Sequence, residues 1–235
     1  MAQYIIGLDL GKAADNSAIA VLKHTPFYKE ESRDMRGMAR DEAPIAVVNN
    51  FTLVRLEKVP LGTPYPRVVE KVAGYVNHPK MLGDIDLVVD TTGVGSAIYD
   101  YLMEEKGAAP IGVITTGGET PSFSEKTGMW SLPKKDLVAS LVMLYQTGRL
   151  VMNPRLENLV DFRDQLQNFS SKINRDTGHT SYEAMTEAVH DDLVIAVALA
   201  GWWAGITVGG LSRIMKDAKK EGYDPRRFNL VSKKR

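Results

Sequence analysis

Apolar positions along this chain follow a two-residue period near its start and a helical period later. Residues 4–10 form an apolar, β-branched run, and after a turn centred on Gly11 a second run covers 17–23. The pair predicts a β-hairpin. Residues 25–44 are charged and without period, which predicts a long loop or mobile insertion before a third strand over 45–59. Past Gly62, Thr63 and Pro64, the positions Val68, Val69, Val72, Ala73 and Val76 recur at helical spacing and predict a helix over 65–77. Residues 85–90 are a short, nearly continuous apolar run, as in a strand covered on both faces. A helix over 93–106 and a strand over 111–115 follow. Residues 116–133 are rich in Gly, Ser, Thr and Pro and predict a long loop. Phe123 and Trp130 in it are expected to pack onto the core, the other reading being a wedge against DNA. Three helices are expected over 134–147, 154–168 and 191–204, with a short strand over 179–185 between the last two. Three strands followed by alternating helix and strand predict an α/β mixed sheet with an antiparallel edge.

Composition narrows the chemistry. At 235 residues and 44% hydrophobic content, the chain can bury one large core, expected over residues 1–206, with a basic tail over 207–235. That tail carries Arg226 and Arg227 among its cations, so it either contacts phosphates or is a solvated terminus. The absence of cysteine excludes disulfides and thiolate metal sites, leaving carboxylates and histidine, which favour hard ions such as Mg²⁺ or Mn²⁺. No basic segment followed by an apolar stretch opens the chain, so a cytoplasmic location is expected. The longest apolar stretch, 193–208, is broken by glycines, follows two aspartates and falls short of a bilayer span. It reads as a buried helix, and no membrane partner is expected.

Three acidic positions stand out. Asp9 lies near the end of the first strand, Asp90 closes the buried run 86–90, and Asp191 with Asp192 opens the last helix. A carboxylate ending an apolar strand is costly unless paired or bound to a cation. Each acid has an ordinary reading too: Asp9 as a turn former before Gly11, Asp90 as a cap before Gly93, and Asp191 or Asp192 as an N-cap. In combination they match what a two-metal phosphodiesterase needs, carboxylates converging from separate strands and a helix on two divalent ions.

The segments Gly7-Leu-Asp9-Leu-Gly11, Val88-Val-Asp90-Thr-Thr-Gly93-Val-Gly95, Leu132-Pro133-Lys134 and His190-Asp191-Asp192-Leu-Val-Ile-Ala resemble the successive motifs of the nuclease domain of bacteriophage large terminase subunits. The likeness spans about residues 1–205 and implies an RNase H-like mixed sheet, its first three strands antiparallel and the next parallel, flanked by helices. It also implies a metal-dependent endonuclease for double-stranded DNA with little sequence specificity, working with two Mg²⁺ or Mn²⁺ ions during viral genome packaging in the host cytoplasm. Carried over residue by residue, the resemblance makes Asp9, Asp90 and Asp192 or Asp191 the catalytic metal ligands. His190 is a further candidate ligand or proton-transfer group, though a capping or core histidine is the more ordinary reading. Lys134 and Lys135 sit at a helix start where the dipole disfavours cations, which suggests a phosphate role beside that of a solvated helix end. Lys12, Arg226 and Arg227 complete the candidate DNA contacts.

A packaging motor also needs an ATPase, and the pattern Gly-x-x-x-x-Gly-Lys-Ser/Thr is missing. The partners implied are therefore a separate or fused terminase ATPase, a small terminase and a portal. Other readings of the same acids are a Holliday-junction-type resolvase, a non-catalytic DNA-packaging module, and a fragment of an actin-like or sugar-kinase ATPase, whose first phosphate loop resembles residues 7–11.

Overall fold

The computed structural model describes residues 3–11, 15–30, 45–81, 85–93, 95–106, 110–175 and 191–208. Among them an eight-stranded sheet runs in the order β6-β7-β5-β4-β1-β2-β3-β8. Strands β1 (Tyr4–Asp9), β2 (Ser17–Glu30) and β3 (Ile45–Val59) pair antiparallel, while β4 (Ile85–Asp90) lies parallel to β1 and β5 (Ile111–Thr116) parallel to β4. Beyond β5, β7 (Met129–Pro133) is again parallel and β6 (Ser122–Ser124) antiparallel to it. At the other edge β8 (Leu150–Met152) pairs parallel with β3. This is the α/β mixed sheet with an antiparallel edge that the residue pattern predicts, with the first three strands antiparallel and the next parallel, as the motif resemblance implies.

Alternation along β1 and β4 sorts their side chains onto two faces. Ile6 and Leu8, with Leu87 and Val89, pack under helices α1 (Tyr65–Val76) and α2 (Gly95–Lys106). Ile5 and Val88 face the larger core formed with α3 (Lys134–Gln146), α4 (Leu159–Arg175) and α5 (Asp192–Val208). Helix α5 is the centre of that layer: every residue from Asp192 to Ala204 is buried. Its sequence is apolar on all sides because neighbours cover all sides, the sheet beneath and α3 and α4 beside it.

Several boundaries differ from the expected ones. Residues 25–30, expected within a loop, continue β2 and pair with 45–50 of β3. Beyond Lys23, β2 no longer borders β1. A two-stranded ribbon at that point has no sheet on its far side, so it needs no apolar alternation and sends no periodic signal. The expected loop over 116–133 contains the hairpin β6–β7, and Trp130 in it is fully buried against Phe123 and Trp202. Packing onto the core is thus the role these aromatics take. The helix expected from 154 begins at Leu159, because Asn158 adopts a left-handed conformation (φ 58°) while its side-chain amide donates to the Leu56 carbonyl at 3.1 Å. Likewise α2 starts at Gly95 instead of 93, where Gly93 has φ 75°. Helix α5 runs from 192 to 208, longer than the 191–204 expected. The strand expected over 179–185 and the basic tail from 209 onward lie outside the described residues. No described helix is long and apolar enough to cross a membrane.

Candidate active site

The C-terminal ends of β1 and β4 define one rim of the sheet. Their parallel register sets Leu8 beside Val89, so Asp9 and Asp90 follow as the next residues on adjacent strands, about 5 Å apart along the backbone. Leu8 and Val89 point toward α1 and α2. One residue later the side chains switch faces, which turns Asp9 and Asp90 toward α5.

Helix α5 is laid across that face antiparallel to both strands. Near its C-terminal half, Trp203 Nε1 donates to Asp86 Oδ2 at 2.7 Å, both groups buried. Midway along the helix, Gly7 admits the backbone of α5 so closely that a Cβ there would stand 2.0 Å from the Ala196 carbonyl oxygen. The eleven steps from Asp192 to Trp203 advance about 16 Å and the four from Asp86 to Asp90 about 13 Å, so the two elements end together. The start of α5 therefore comes down beside Asp9 and Asp90.

Once there, the first turn of α5 is held by a residue that sequence reasoning missed. The Gln165 side-chain oxygen, from α4, accepts the backbone N–H of Leu193 at 3.1 Å and that of Val194 at 3.4 Å. Those are two of the donors a helix N-terminus leaves unsatisfied, and capping them was the ordinary role available to Asp191 or Asp192. No period or motif marks Gln165; only the packing of α4 against α5 reveals it. Asp191 takes part through its backbone, its carbonyl accepting the Ile195 N–H at 2.9 Å. Asp192 is buried, 5% exposed, whereas the Asp191 side chain is 23% exposed and ion-paired at 2.7 Å with Lys134.

Asp90 is gripped from its own loop and from β5. The Thr92 N–H donates to Asp90 Oδ1 at 2.8 Å, and the Thr115 hydroxyl donates to Oδ2 at 3.2 Å. Thr92 and Thr115 are joined in turn, the Thr115 N–H donating to Thr92 Oγ1 at 2.8 Å. Thr92 lies within a motif noted in the sequence, but Thr115 carries no sequence signal. Gly11, just beyond Asp9, is tied down as well: its N–H donates to Ser17 Oγ at 3.1 Å, and its carbonyl accepts the Tyr65 hydroxyl at 2.9 Å.

Gathering these acids has an electrostatic cost. Burial pushes the Asp9 carboxyl well above the usual carboxylate range; Asp90, Asp192 and Asp191 add to that shift and Lys134 opposes it. Burial also raises Asp90, against the pull of hydrogen bonds from Thr92 and Thr115 and of the Lys134 ammonium. A cluster of this kind consists of hard oxygen donors that repel one another and gain from a cation, which suits a divalent ion such as Mg²⁺ or Mn²⁺. Among the described residues no three acidic or imidazole groups are grouped so as to hold an ion.

Of the remaining candidates, Lys134 lies in the acidic cluster and Lys135 pairs with Glu119 at 3.0 Å on the exposed side of the same helix start. Lys12, His190, Arg226 and Arg227 lie outside the described residues.

No family model and no curated protein matches the chain. Among solved structures it is similar to the large terminase nuclease from thermophilic phage G20c, at 21% identity over 85% of this chain and 81% of that one, with a TM-score of 0.44. It is also similar to the human cytomegalovirus terminase nuclease domain, Mn soaked, at 12% identity over 86% and 82%, with a TM-score of 0.45. A third is the large terminase nuclease domain from bacteriophage SPP1 with bound Mn, at 12% identity over 84% of each chain, with a TM-score of 0.40.

Proposed function

We propose that this chain is a metal-dependent endonuclease that hydrolyses double-stranded DNA with little regard to sequence, as the nuclease part of a viral DNA-packaging machine. What supports this reading is that Asp9 and Asp90 end adjacent parallel strands, and that Asp9, raised first by burial, is raised further by Asp90 and by Asp192 and Asp191 at the start of α5. Phosphodiester hydrolysis calls for such a site, because negative charge builds on the attacking and leaving oxygens and must be met by fixed positive charge.

In this reading Asp9, Asp90 and Asp192 hold two Mg²⁺ or Mn²⁺ ions, with Asp191 a further ligand. Bound there, such ions supply an activated water and stabilise the leaving oxygen. The protein's own groups do the positioning. Thr92 and Thr115 fix both oxygens of Asp90 toward one orientation, and Gln165 fixes the helix turn that carries Asp192. Lys134 and Lys135, with Lys12, Arg226, Arg227 and the tail over 207–235, are the proposed phosphate contacts. His190 is a further proposed ligand. An ATPase on the same or another polypeptide would supply the translocation that this chain's motifs do not provide.

Supercoiled plasmid incubated with the purified chain and Mn²⁺ tests the proposal. Nicked and linear products are expected with the wild type, none with EDTA, and none with Asp90→Asn. Cleavage by Asp90→Asn at the wild-type rate would remove Asp90 from the site, and ATP hydrolysis in place of DNA cleavage would favour the kinase-type reading instead.

A further inference from the structure

Lys134 occupies a position where an ammonium is out of place. It is the first residue of α3, with Pro133 before it and no side-chain cap, so the helix dipole there repels a cation. Its side chain nevertheless does not escape to solvent. It reaches to the start of α5 and meets Asp191 Oδ2 at 2.7 Å, the two side chains 28% and 23% exposed. Lys135, one residue along, shows the contrast: its partner Glu119 is 90% exposed. What offsets the dipole at Lys134, beside Asp136 in the helix's own first turn, is the charge of Asp191 and the acids Asp9 and Asp90 near it, and the influence runs both ways. The same ammonium works against the upward shifts of Asp9 and Asp90.

We propose that Lys134 is the resident counter-cation of the carboxylate cluster, holding the acids together before a divalent ion binds and competing with that ion for Asp191, so that Lys134 sets the metal concentration at which the site fills. This rests on the metal-dependent reading above. A divalent ion entering the cluster meets the repulsion of the ammonium and finds the Asp191 carboxylate already engaged. Removing the positive charge should therefore have two effects of opposite sign. The metal-free protein loses a counter-ion and becomes less stable, while affinity for the ion rises. A lysine that served only packing would lower stability and leave the affinity alone. One that served only DNA would change cleavage and neither of these.

The test is the melting temperature of the full chain titrated with MnCl₂, in the absence of DNA, for the wild type and for Lys134→Met, Lys134→Gln and Lys134→Arg. The neutral variants should melt lower than the wild type without metal, yet reach half-maximal stabilisation at about fivefold to tenfold less Mn²⁺. Lys134→Arg, which keeps the charge, should stay within about twofold of the wild-type midpoint. Two different neutral side chains guard against one of them failing to fold. An unchanged or higher midpoint in the neutral variants overturns the counter-cation role while leaving the metal site standing. No Mn²⁺-dependent shift in the wild type overturns the metal site and the counter-cation together.

Discussion

Asp9 shows most directly how one residue's surroundings set its chemistry. Its carboxyl is raised first by burial and then by Asp90, Asp192 and Asp191, so folding favours its protonated form. A group raised in the folded state contributes stability that is present below its unfolded pKa, about 4, and lost as pH climbs through the folded value. Metal-free Asp9→Asn should therefore melt above the wild type at pH 7.5, and the gap should close as pH falls toward about 4. Comparing the two proteins cancels Glu57, which burial pushes up but hydrogen bonds from Lys71 and Tyr75 bring below its usual range. A gap that stays constant with pH would mean that Asp9 is not raised. At the helix start the two neighbouring acids separate by environment: Asp192 is buried, and Asp191 is partly exposed and engaged by Lys134. On the proposed function, Asp192→Ala should cost about a hundredfold in cleavage rate under saturating Mn²⁺, and Asp191→Ala less. A greater loss for Asp191→Ala would exchange their roles.

At the scale of elements, the site depends on how α5 is seated. Gly7 allows the contact, since any side chain there collides with the Ala196 carbonyl. Gly7→Ala should lift α5 from β1 and destabilise the protein by about 3 kcal/mol in urea unfolding, with Mn²⁺-dependent cleavage falling as well. A loss below about 0.5 kcal/mol would show that the helix can shift without strain. Gln165 anchors the other end of the contact. Gln165→Ala leaves the Leu193 and Val194 amides without that acceptor in a buried place and should cost about 1–3 kcal/mol. If the turn it caps also positions Asp192, the midpoint for Mn²⁺ stabilisation should rise too; an unchanged midpoint would confine Gln165 to stability.

Across the whole molecule, one sheet with helices on both faces separates a smaller core under α1 and α2 from a larger one around α5, and Asp9 and Asp90 stand at the rim where β1 and β4 end. The candidate DNA contacts at this rim are lysines, which suit phosphates and carry no base code. Digestion of a long DNA should accordingly give a continuous smear on a gel, and a few discrete bands would contradict the sequence-indifferent reading.

The sequence by itself determined the strands and helices whose burial repeats along them. Residues 4–9, 45–59, 65–76 and 85–90 could be placed because each element presents a covered face or is covered throughout, and the same reasoning picked out Asp9 and Asp90 as acids closing apolar strands. It misjudged the ribbon at 25–30, which has no such face, and the β6–β7 hairpin and β8, whose strands of three to five residues cover too few positions to show a period. Helical spacing could not choose between Asp191 and Asp192 either, because a helix buried on every side has no stripe to read. Only the tertiary structure decided that the strand register brings Asp9 beside Asp90, that Gly7 lets α5 descend to meet them, and that Gln165, Thr115 and Lys134 complete their surroundings. Those three residues act across distances of 25 to 57 positions along the chain, and a local pattern holds no record of contacts that form only when the sheet and its helices close on one another.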